Sequence, residues 1–368
     1  MAHCMHRQPP SNPREAVVAH LPDGLRHTDL AGLVTYDPAL VVQREGDCFV
    51  AEVGPFDPSD AKVRNHFHVG EKLVQLRPGD LIPLVLAYRR SMMEFASGTA
   101  AYAIAAGDTV WVLGGDGYAG SFECAEPDYG TPVSALVLGA VPGRRPGQTL
   151  NVGDFVPPEK QTARAVPGDP LVVAVVGSRM DCGKSTCIRR ITAGLRRQGR
   201  RVGAGKVTGF GCRYEVTGLG ADICLDFTDF GLPSTCGEDA PRVRAAARRI
   251  LDELRGAGSE VVVLEFGEAL IGPYRVDEVL HELRHEIDTL VFVAFDLCGV
   301  EGGVHRLREL GIEPGFVTGP VANTPVAAGL VERRHGIPAE SNLGGMPRLI
   351  ADLEQRLSAR PRRPAEPD

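Results

Sequence analysis

Residues 171–190 read LVVAVVGSRMDCGKSTCIRR, and this stretch decides the fold of the carboxy-terminal half. An apolar run, Leu171–Val176, is followed by a loop bounded by Gly177 and Gly183, then by Lys184-Ser185-Thr186 and a helical pattern. Each part has a mechanical reason. The glycines let the main chain curl so that its N–H groups converge on an anion. The helix that follows aims its positive end at the same point. In such a loop the lysine, here Lys184, reaches terminal phosphates, the Ser185 hydroxyl faces Mg²⁺, and Thr186 adds a phosphate contact. Asp181 and Cys182 complete the cradle. Five residues, Ser178 to Cys182, separate the two glycines, where the usual motif has four.

Working outward, the chain alternates strand and helix after this loop, the pattern of a parallel sheet covered by helices on both faces. Arg201–Gly205, Glu260–Glu265, Leu290–Phe295 and Gly315–Thr318 read as strands. Ser185–Gln198, Ala240–Gly256, Val276–Arg284 and Gly302–Leu310 read as helices. Before the loop the texture is different. Ala31–Thr35, Cys48–Val53, Leu81–Ala87, Thr109–Leu113 and Ser134–Leu138 read as short strands divided by turns such as Pro78-Gly79-Asp80 and Ala106-Gly107-Asp108. The expected class is therefore α/β: a P-loop NTPase-like parallel sheet preceded by a smaller, mostly β, barrel-like domain. The expected limits are a mobile leader over 1–30, the β domain over 31–141 and a Pro/Gly-rich linker over 142–170. The P-loop domain then runs over 171–358, with a disordered tail over 359–368.

Bulk properties narrow the partners. Two domains suit 368 residues, and 43% apolar with 24% charged residues is ordinary for a globular chain. A net charge of -7 with scattered basic residues argues against a nucleic-acid partner. No apolar run approaches the roughly 20 residues of a membrane span. Nine cysteines without a C-x-x-C pair fit neither a disulfide framework nor a zinc site, so the cytosol is the expected compartment.

The phosphate loop and further segments resemble a known family. The five-residue phosphate loop is similar to that of the dethiobiotin synthetases. Gly205-Lys206-Val207-Thr208-Gly209 resembles the family's Lys-Pro-Val-x-x-Gly segment, with Val207 in place of the proline and the glycine one residue early. VVVLEFGEAL, residues 261–270, resembles a strand ending in Glu-Gly-x-Gly, with Phe266 in place of a glycine. The resemblance implies that Lys206 faces substrate and phosphate, and that Glu265 helps to bind Mg²⁺ or substrate. Asp226 would be a metal-binding aspartate, with Asp229 as the alternative, and Asn323 would recognise the base. A sibling P-loop family with amino-acid N-acyltransferase-type members has a similar loop and an Asp-Phe segment like Asp226-Phe227. Both resemblances cover the last half of the chain only. Independently of either, carboxylates at strand ends in an open α/β sheet face one crevice, which suits Mg²⁺ and a triphosphate.

Other constellations read as ordinary structure. His66 and His68 share a strand face but lack a third ligand. His281-Glu282-Leu283-Arg284-His285 matches the H-E-x-x-H string literally, yet VDEVLHELRHEIDTL is an amphipathic covering helix. Cys182 and Cys187 flank the lysine and are read as small side chains before reactive thiols. Arg89 and Arg90 are read as a solvated turn before an anion contact.

These readings favour an ATP- and Mg²⁺-dependent enzyme, with Lys184, Lys206 and Glu265 as catalytic candidates. It would phosphorylate or activate a small metabolite, a carboxylate or an amine-derived carbamate, and a homodimer is the expected state. An Asn-Lys-x-Asp guanine signature is absent, which favours ATP. Two alternatives stay open: a nucleotide-driven switch or assembly factor, and a transferase whose loop holds a phosphate-bearing cofactor such as coenzyme A.

Overall fold

Strands in this chain form where β-branched residues run between glycine turns, and the two halves use them differently. The computed structural model describes residues 13–18, 21–60, 62–70, 72–97, 103–156, 169–211, 213–237 and 239–360. The chain divides into two compact units. The first comprises Met1–Pro157 with Gly211–Tyr214 and Thr228–Ser234, and the second the remainder.

In the first unit, five strands close into a barrel: β1 (Cys48–Val53), β2 (Leu81–Leu86), β3 (Thr109–Gly114), β4 (Tyr118–Gly120) and β5 (Ser134–Ala140). Their order around the barrel is β4-β2-β1-β5-β3, with β3 closing back onto β4. All pairings are antiparallel except β4 with β2. Closure leaves no open sheet edge. Inward residues such as Phe49, Ala51, Ile82, Leu84, Val110, Val112, Ala135 and Val137 make the core. The period-two alternation of the sequence is what supplies one apolar side chain at every second position.

Within the stretch read as a leader, Arg14–Val17 forms a strand paired with Leu33–Tyr36. The leader reading is corrected there, because the short alternating run finds a partner strand that sequence pattern alone did not reveal; residues 1–12 lie outside the described residues. The segment 142–156, read as linker, belongs to this unit. It carries a 3-10 turn at Val152–Phe155 capped by Asn151, and residues 157–168 lie outside the described residues.

The second unit is a three-layer α/β/α sandwich. Its strands are β6 (Leu171–Gly177), β7 (Val202–Thr208), β8 (Ile223–Asp226), β9 (Val261–Phe266), β10 (Thr289–Val293) and β11 (Phe316–Thr318). They pair in the order β8-β7-β9-β6-β10-β11, every pair parallel. The helices are α1 (Lys184–Arg197), α3 (Ala240–Gly256), α4 (Val276–Leu283), α5 (Leu297–Glu309), α6 (Pro325–His335) and α7 (Pro347–Ser358), while the short α2 (Arg213–Thr217) has its first two residues in the first unit and the rest in the second. Strands buried on both faces read as continuous apolar runs, as LVVAVV and VVVL do. One face carries Val173, Val175, Ala204, Val263 and Val293 against Cys187, Ile188 and Ile191 of α1 and Leu349 and Leu353 of α7. The parallel sheet, the helices on both faces and the preceding barrel agree with the fold read from sequence. Two residues of the stretch read as a disordered tail, Ala359 and Arg360, are ordered: Arg360 donates to the Asp169 and Pro170 carbonyls at 2.8 and 2.6 Å, and residues 361–368 lie outside the described residues. No helix among the described residues is long and apolar enough to cross a membrane.

Candidate functional site

The site is built where β6 ends at the centre of the sheet. Gly177 closes the strand, and a Cβ there would stand 2.5 Å from Cys182 Sγ and 2.9 Å from Lys184 Cδ, so only glycine fits inside the loop. Asp181 and Gly183 take left-handed backbone, φ 56° and 97°, which turns successive N–H groups toward one side of the loop. Asn342, almost fully buried, donates from Nδ2 to the Gly183 carbonyl at 3.0 Å and holds the loop closed from outside.

Lys184 opens α1 and is 7% exposed. Its ammonium donates to the Arg179 carbonyl at 2.9 Å and to the Glu268 carbonyl at 2.6 Å. Glu268 presents that carbonyl from a left-handed backbone, φ 66°. The same return loop is pinned to the phosphate loop by Leu270 N–H donating to the Gly177 carbonyl at 2.8 Å. An ammonium has three hydrogens, so one remains for a ligand at the mouth of the loop.

To reach β7 from β6, α1 must cross β9, and its first turn therefore passes over the carboxyl end of that strand. There Ser185 Oγ donates to Glu265 Oε1 at 2.9 Å. Glu265 is 2% exposed, and its Oε2 has no hydrogen-bond partner among the described residues. Strand register extends this into a row: Val175 of β6 faces Glu265 of β9, Glu265 faces Lys206 of β7, and Lys206 faces Asp226 of β8. Paired residues of neighbouring strands project to one face. Each of these polar residues lies two positions after a member of the α1-side core or a residue packed on it: Val263, Ala204 and Cys224. Glu265, Lys206 and Asp226 therefore share α1's side of the sheet, all buried.

Lys206 makes an ion pair with Glu215 of α2 at 2.9 Å. Gly209 and Gly267 leave room for it, since a Cβ at either would stand 3.2 or 3.0 Å from Lys206 Cε. Thr186 is half-buried in the first turn of α1, and Asp181 is exposed on the loop. Asn323 follows the turn Pro320–Ala322 beyond β11, and its Oδ1 accepts from Ser341 Oγ at 2.9 Å.

Several expected roles change. Asp229 does not stand in for Asp226: in the first unit it binds Arg26 at 2.8 Å, His27 at 2.9 Å and Arg213 at 3.0 Å. Burial alone would raise its carboxyl, but the His27 hydrogen bond and the two guanidinium charges outweigh that and hold it well below the usual range. Cys182 and Cys187 are fully buried in the α1-side core, out of reach of solution oxidants. Burial, with smaller contributions from Cys182 and Glu265, pushes the Cys187 thiol far above its ordinary range.

Arg89 is no solvated turn, being buried and paired with Glu94, while Arg90 pairs with Glu123 at 2.6 Å. His66 and His68 lie on one strand, His66–Val69, and the His68 ring stacks on Tyr214. Helix α4 ends at Leu283, before His285, and Glu282 accepts from Arg248 at 3.2 Å, so the literal H-E-x-x-H string is not a helical metal pair. Among the described residues no group of three or more His, Cys, Asp or Glu could hold a metal by itself.

Sequence reasoning missed Asn342, Ser341, Glu215 and the Glu268 carbonyl. Their neighbours in sequence form no motif, and tertiary folding alone brings them to the loop.

No family model matches the chain, and no curated protein matches it. Solved structures similar to it include the signal recognition particle 54 kDa protein from Aeropyrum pernix in complex with GDP. It is 16% identical with a TM-score of 0.35, and the match covers 56% of this chain and 53% of that one. A nucleotide-binding protein from Archaeoglobus fulgidus in complex with ADP is 15% identical with a TM-score of 0.36, over 55% of this chain and 90% of that one. A DUF1611 family protein from Anabaena variabilis is 12% identical with a TM-score of 0.38, over 55% and 61%. The chain thus spans about half the length, 53%, of the first of these. None of the three is described as a dethiobiotin synthetase, and the P-loop fold of the second unit rests on its own strand order and phosphate loop.

Proposed function

We propose that the second unit binds a nucleoside triphosphate on the Gly177–Thr186 loop and transfers its terminal phosphoryl group to a small anionic metabolite. The observation that carries this reading is the buried row Glu265–Lys206–Asp226, in register beside the Lys184 loop. Phosphoryl transfer asks a protein for positioning and charge more than for covalent chemistry. Lys184 and the α1 N-terminus would take the β and γ phosphates. Lys206, at the next strand but one, would offset charge on the group in flight and orient an acceptor carboxylate or carbamate.

The residues fit Mg²⁺. Ser185 Oγ and the Glu265 carboxylate are hard oxygen donors, one carboxylate oxygen is buried without a protein partner among the described residues, and Asp226 lies two strands away in the same row. Mg²⁺ is commonly held by one or two carboxylates together with substrate phosphates. When bound, it would neutralise phosphate charge. The resemblance to dethiobiotin synthetases points to the same class of acceptor, and to ligase- or kinase-type turnover.

The test is calorimetric titration of Mg²⁺–nucleotide into the full chain and its Lys184→Ala variant, with mass spectrometry of candidate carboxylates and amines incubated with each. Binding by the parent, its loss in the variant, and a phosphorylated or condensed product support the proposal. Full activity in the variant rejects the placement. Hydrolysis to nucleoside diphosphate and phosphate with no altered metabolite would favour a nucleotide-driven switch.

A further inference from the structure

Arg179, inside the phosphate loop, carries a half-buried guanidinium that the protein holds in place without an anion. Its Nε donates to the Met180 carbonyl at 3.0 Å, which folds the side chain back along the loop. Its Cζ stands 4.6 Å from the centre of the Phe295 ring. Phe295 follows β10, is 44% exposed, and is tied to the same loop by its N–H, which donates to Ser178 Oγ at 3.1 Å. Ser178 is itself fixed. Its N–H donates to the Val293 carbonyl at 2.9 Å, and a Cβ on Gly299 of α5 would stand 3.2 Å from Ser178 Cβ. The aromatic shelf under the guanidinium is therefore part of the cradle, and all of these residues belong to the second unit.

A guanidinium has five N–H donors in one plane. Here Nε uses one and the ring covers a face. The two terminal nitrogens have no hydrogen-bond or ion-pair partner among the described residues. Other half-buried arginines of this unit engage carboxylates: Arg200 meets Glu354, and Arg248 and Arg255 meet Glu286, each at 2.7 Å. Arg179 has the same fork and a firmer scaffold, but no acid. Fixing a long side chain beforehand lowers the cost of binding an anion with it.

The position of the residue selects the anion. Lys184 Nζ donates to the carbonyl of Arg179 itself at 2.9 Å, so the guanidinium hangs from backbone that touches the ammonium which such loops set on terminal phosphates. β10 adjoins β6 on the side away from β9, so Phe295 keeps the guanidinium on the flank opposite Glu265 and Lys206. Resting on the nucleotide site proposed above, we propose that Arg179 is the residue by which the loop distinguishes a nucleoside triphosphate from a diphosphate. Its fork takes two oxygens of the terminal phosphate, the in-plane pairing that guanidinium and phosphate favour. A diphosphate seated in the backbone nest ends short of it. Phe295 and Ser178 are positioning residues and do not touch the phosphate.

Calorimetry of Mg²⁺–ATP and Mg²⁺–ADP on the full chain tests this. The parent should bind ATP about tenfold tighter than ADP, the effect of a charge-assisted pair of hydrogen bonds. Arg179→Ala should weaken ATP by about tenfold and leave ADP within about twofold of the parent. Arg179→Lys keeps the charge without the fork or the flat face, and should restore only part of the loss. Phe295→Leu removes the shelf and leaves the arginine, so ATP affinity should fall by about threefold with ADP unchanged. Phe295→Tyr keeps the aromatic face and should match the parent. An ATP-to-ADP ratio in Arg179→Ala equal to the parent's would overturn the proposal. So would equal loss of both nucleotides in Arg179→Lys at an unchanged unfolding midpoint. Either result leaves the nucleotide site standing. Failure of ATP, ADP and inorganic tripolyphosphate to bind the parent would overturn that site as well.

Discussion

Glu265 is the residue on which the chemistry of the second unit turns. It is buried at a strand end, one oxygen held by Ser185 and the other without a protein partner among the described residues. A buried carboxylate is tolerated where a cation or hydrogen bonds satisfy it. Replacing it with glutamine keeps the shape and the serine contact but removes the charge. Glu265→Gln is therefore expected to weaken the Mg²⁺-dependent part of nucleotide affinity by about tenfold or more. Binding measured in a chelator should change little. Titrations with and without Mg²⁺ separate the two, and equal loss in both would show that Glu265 serves packing and not the metal. Gly183 tests the loop itself. Its φ of 97° and a Cβ position 2.8 Å from Asn342 Nδ2 make Gly183→Ala strained in backbone and in space. The variant should lose the Asn342 contact and most phosphate affinity, read by tripolyphosphate titration.

At the scale of the element, α5 shows how a helix is fitted to a sheet. Its sequence places two glycines side by side, Gly302 and Gly303, inside thirteen helical residues, an arrangement that helix propensity disfavours. The positions differ. A Cβ on Gly303 would stand 2.0 Å from Phe292 Cζ of β10, whereas one on Gly302 meets nothing within 4 Å. Gly303 lets the helix backbone lie directly on the phenylalanine ring, and Gly302 only adds unfolded-state freedom. Gly302→Ala should stabilise the fold by roughly 0.5–1 kcal/mol, and Gly303→Ala should destabilise it by about 1–3 kcal/mol through overpacking. Urea unfolding of the pair checks both signs, and matching shifts would remove this account of α5. The sequence reading began its helix at Gly302, five residues late. The true start at Leu297 is set by the Asp296 side chain accepting from Gly299 N–H at 2.7 Å, a cap signal hidden next to a strand end.

At the scale of the molecule, the first unit is not continuous in sequence, and Asp229 shows how its distant pieces are joined. Its carboxylate gathers Arg26, His27 and Arg213, from segments some two hundred residues apart. Because the folded carboxyl lies well below its unfolded value, near 4, the folded state holds fewer protons than the unfolded state at acid pH. The stability it contributes is complete above that value and is lost as the pH falls through and below it. Asp229→Asn should therefore destabilise the protein by about 3 kcal/mol near neutral pH, since it removes the negative charge that two half-buried guanidinium groups share. The gap from the parent should narrow as the pH is lowered below about 4. Denaturation midpoints at pH 7 and pH 3 test this, and an equal gap at both would show that charge is not the cause.

Much of the architecture was legible in the chain because backbone preference acts locally. LVVAVVG before GKST specifies strand, anion loop and helix within twenty residues, and the alternation of β-branched runs with turns marked four of the five barrel strands. β4, only three residues long, was too short to register, and β8 and α6 have no periodic signal strong enough to set their limits, whereas α7 carries one, Leu349, Ile350, Leu353 and Leu357 at helical spacing. Lys184, Ser185, Lys206, Asp226 and Glu265 were also legible as candidates, each standing just beyond or within an apolar strand. Sequence could not say which of Asp226 and Asp229 faces the lysines, since three residues of chain allow either direction. Strand register decided it, by setting Asp226 against Lys206 while Asp229 meets two arginines and a histidine from remote segments. Asn342, Ser341 and Glu215 owe their places to tertiary packing alone, because a hydrogen bond needs two groups within about 3 Å and the order of residues along a chain carries no such distance.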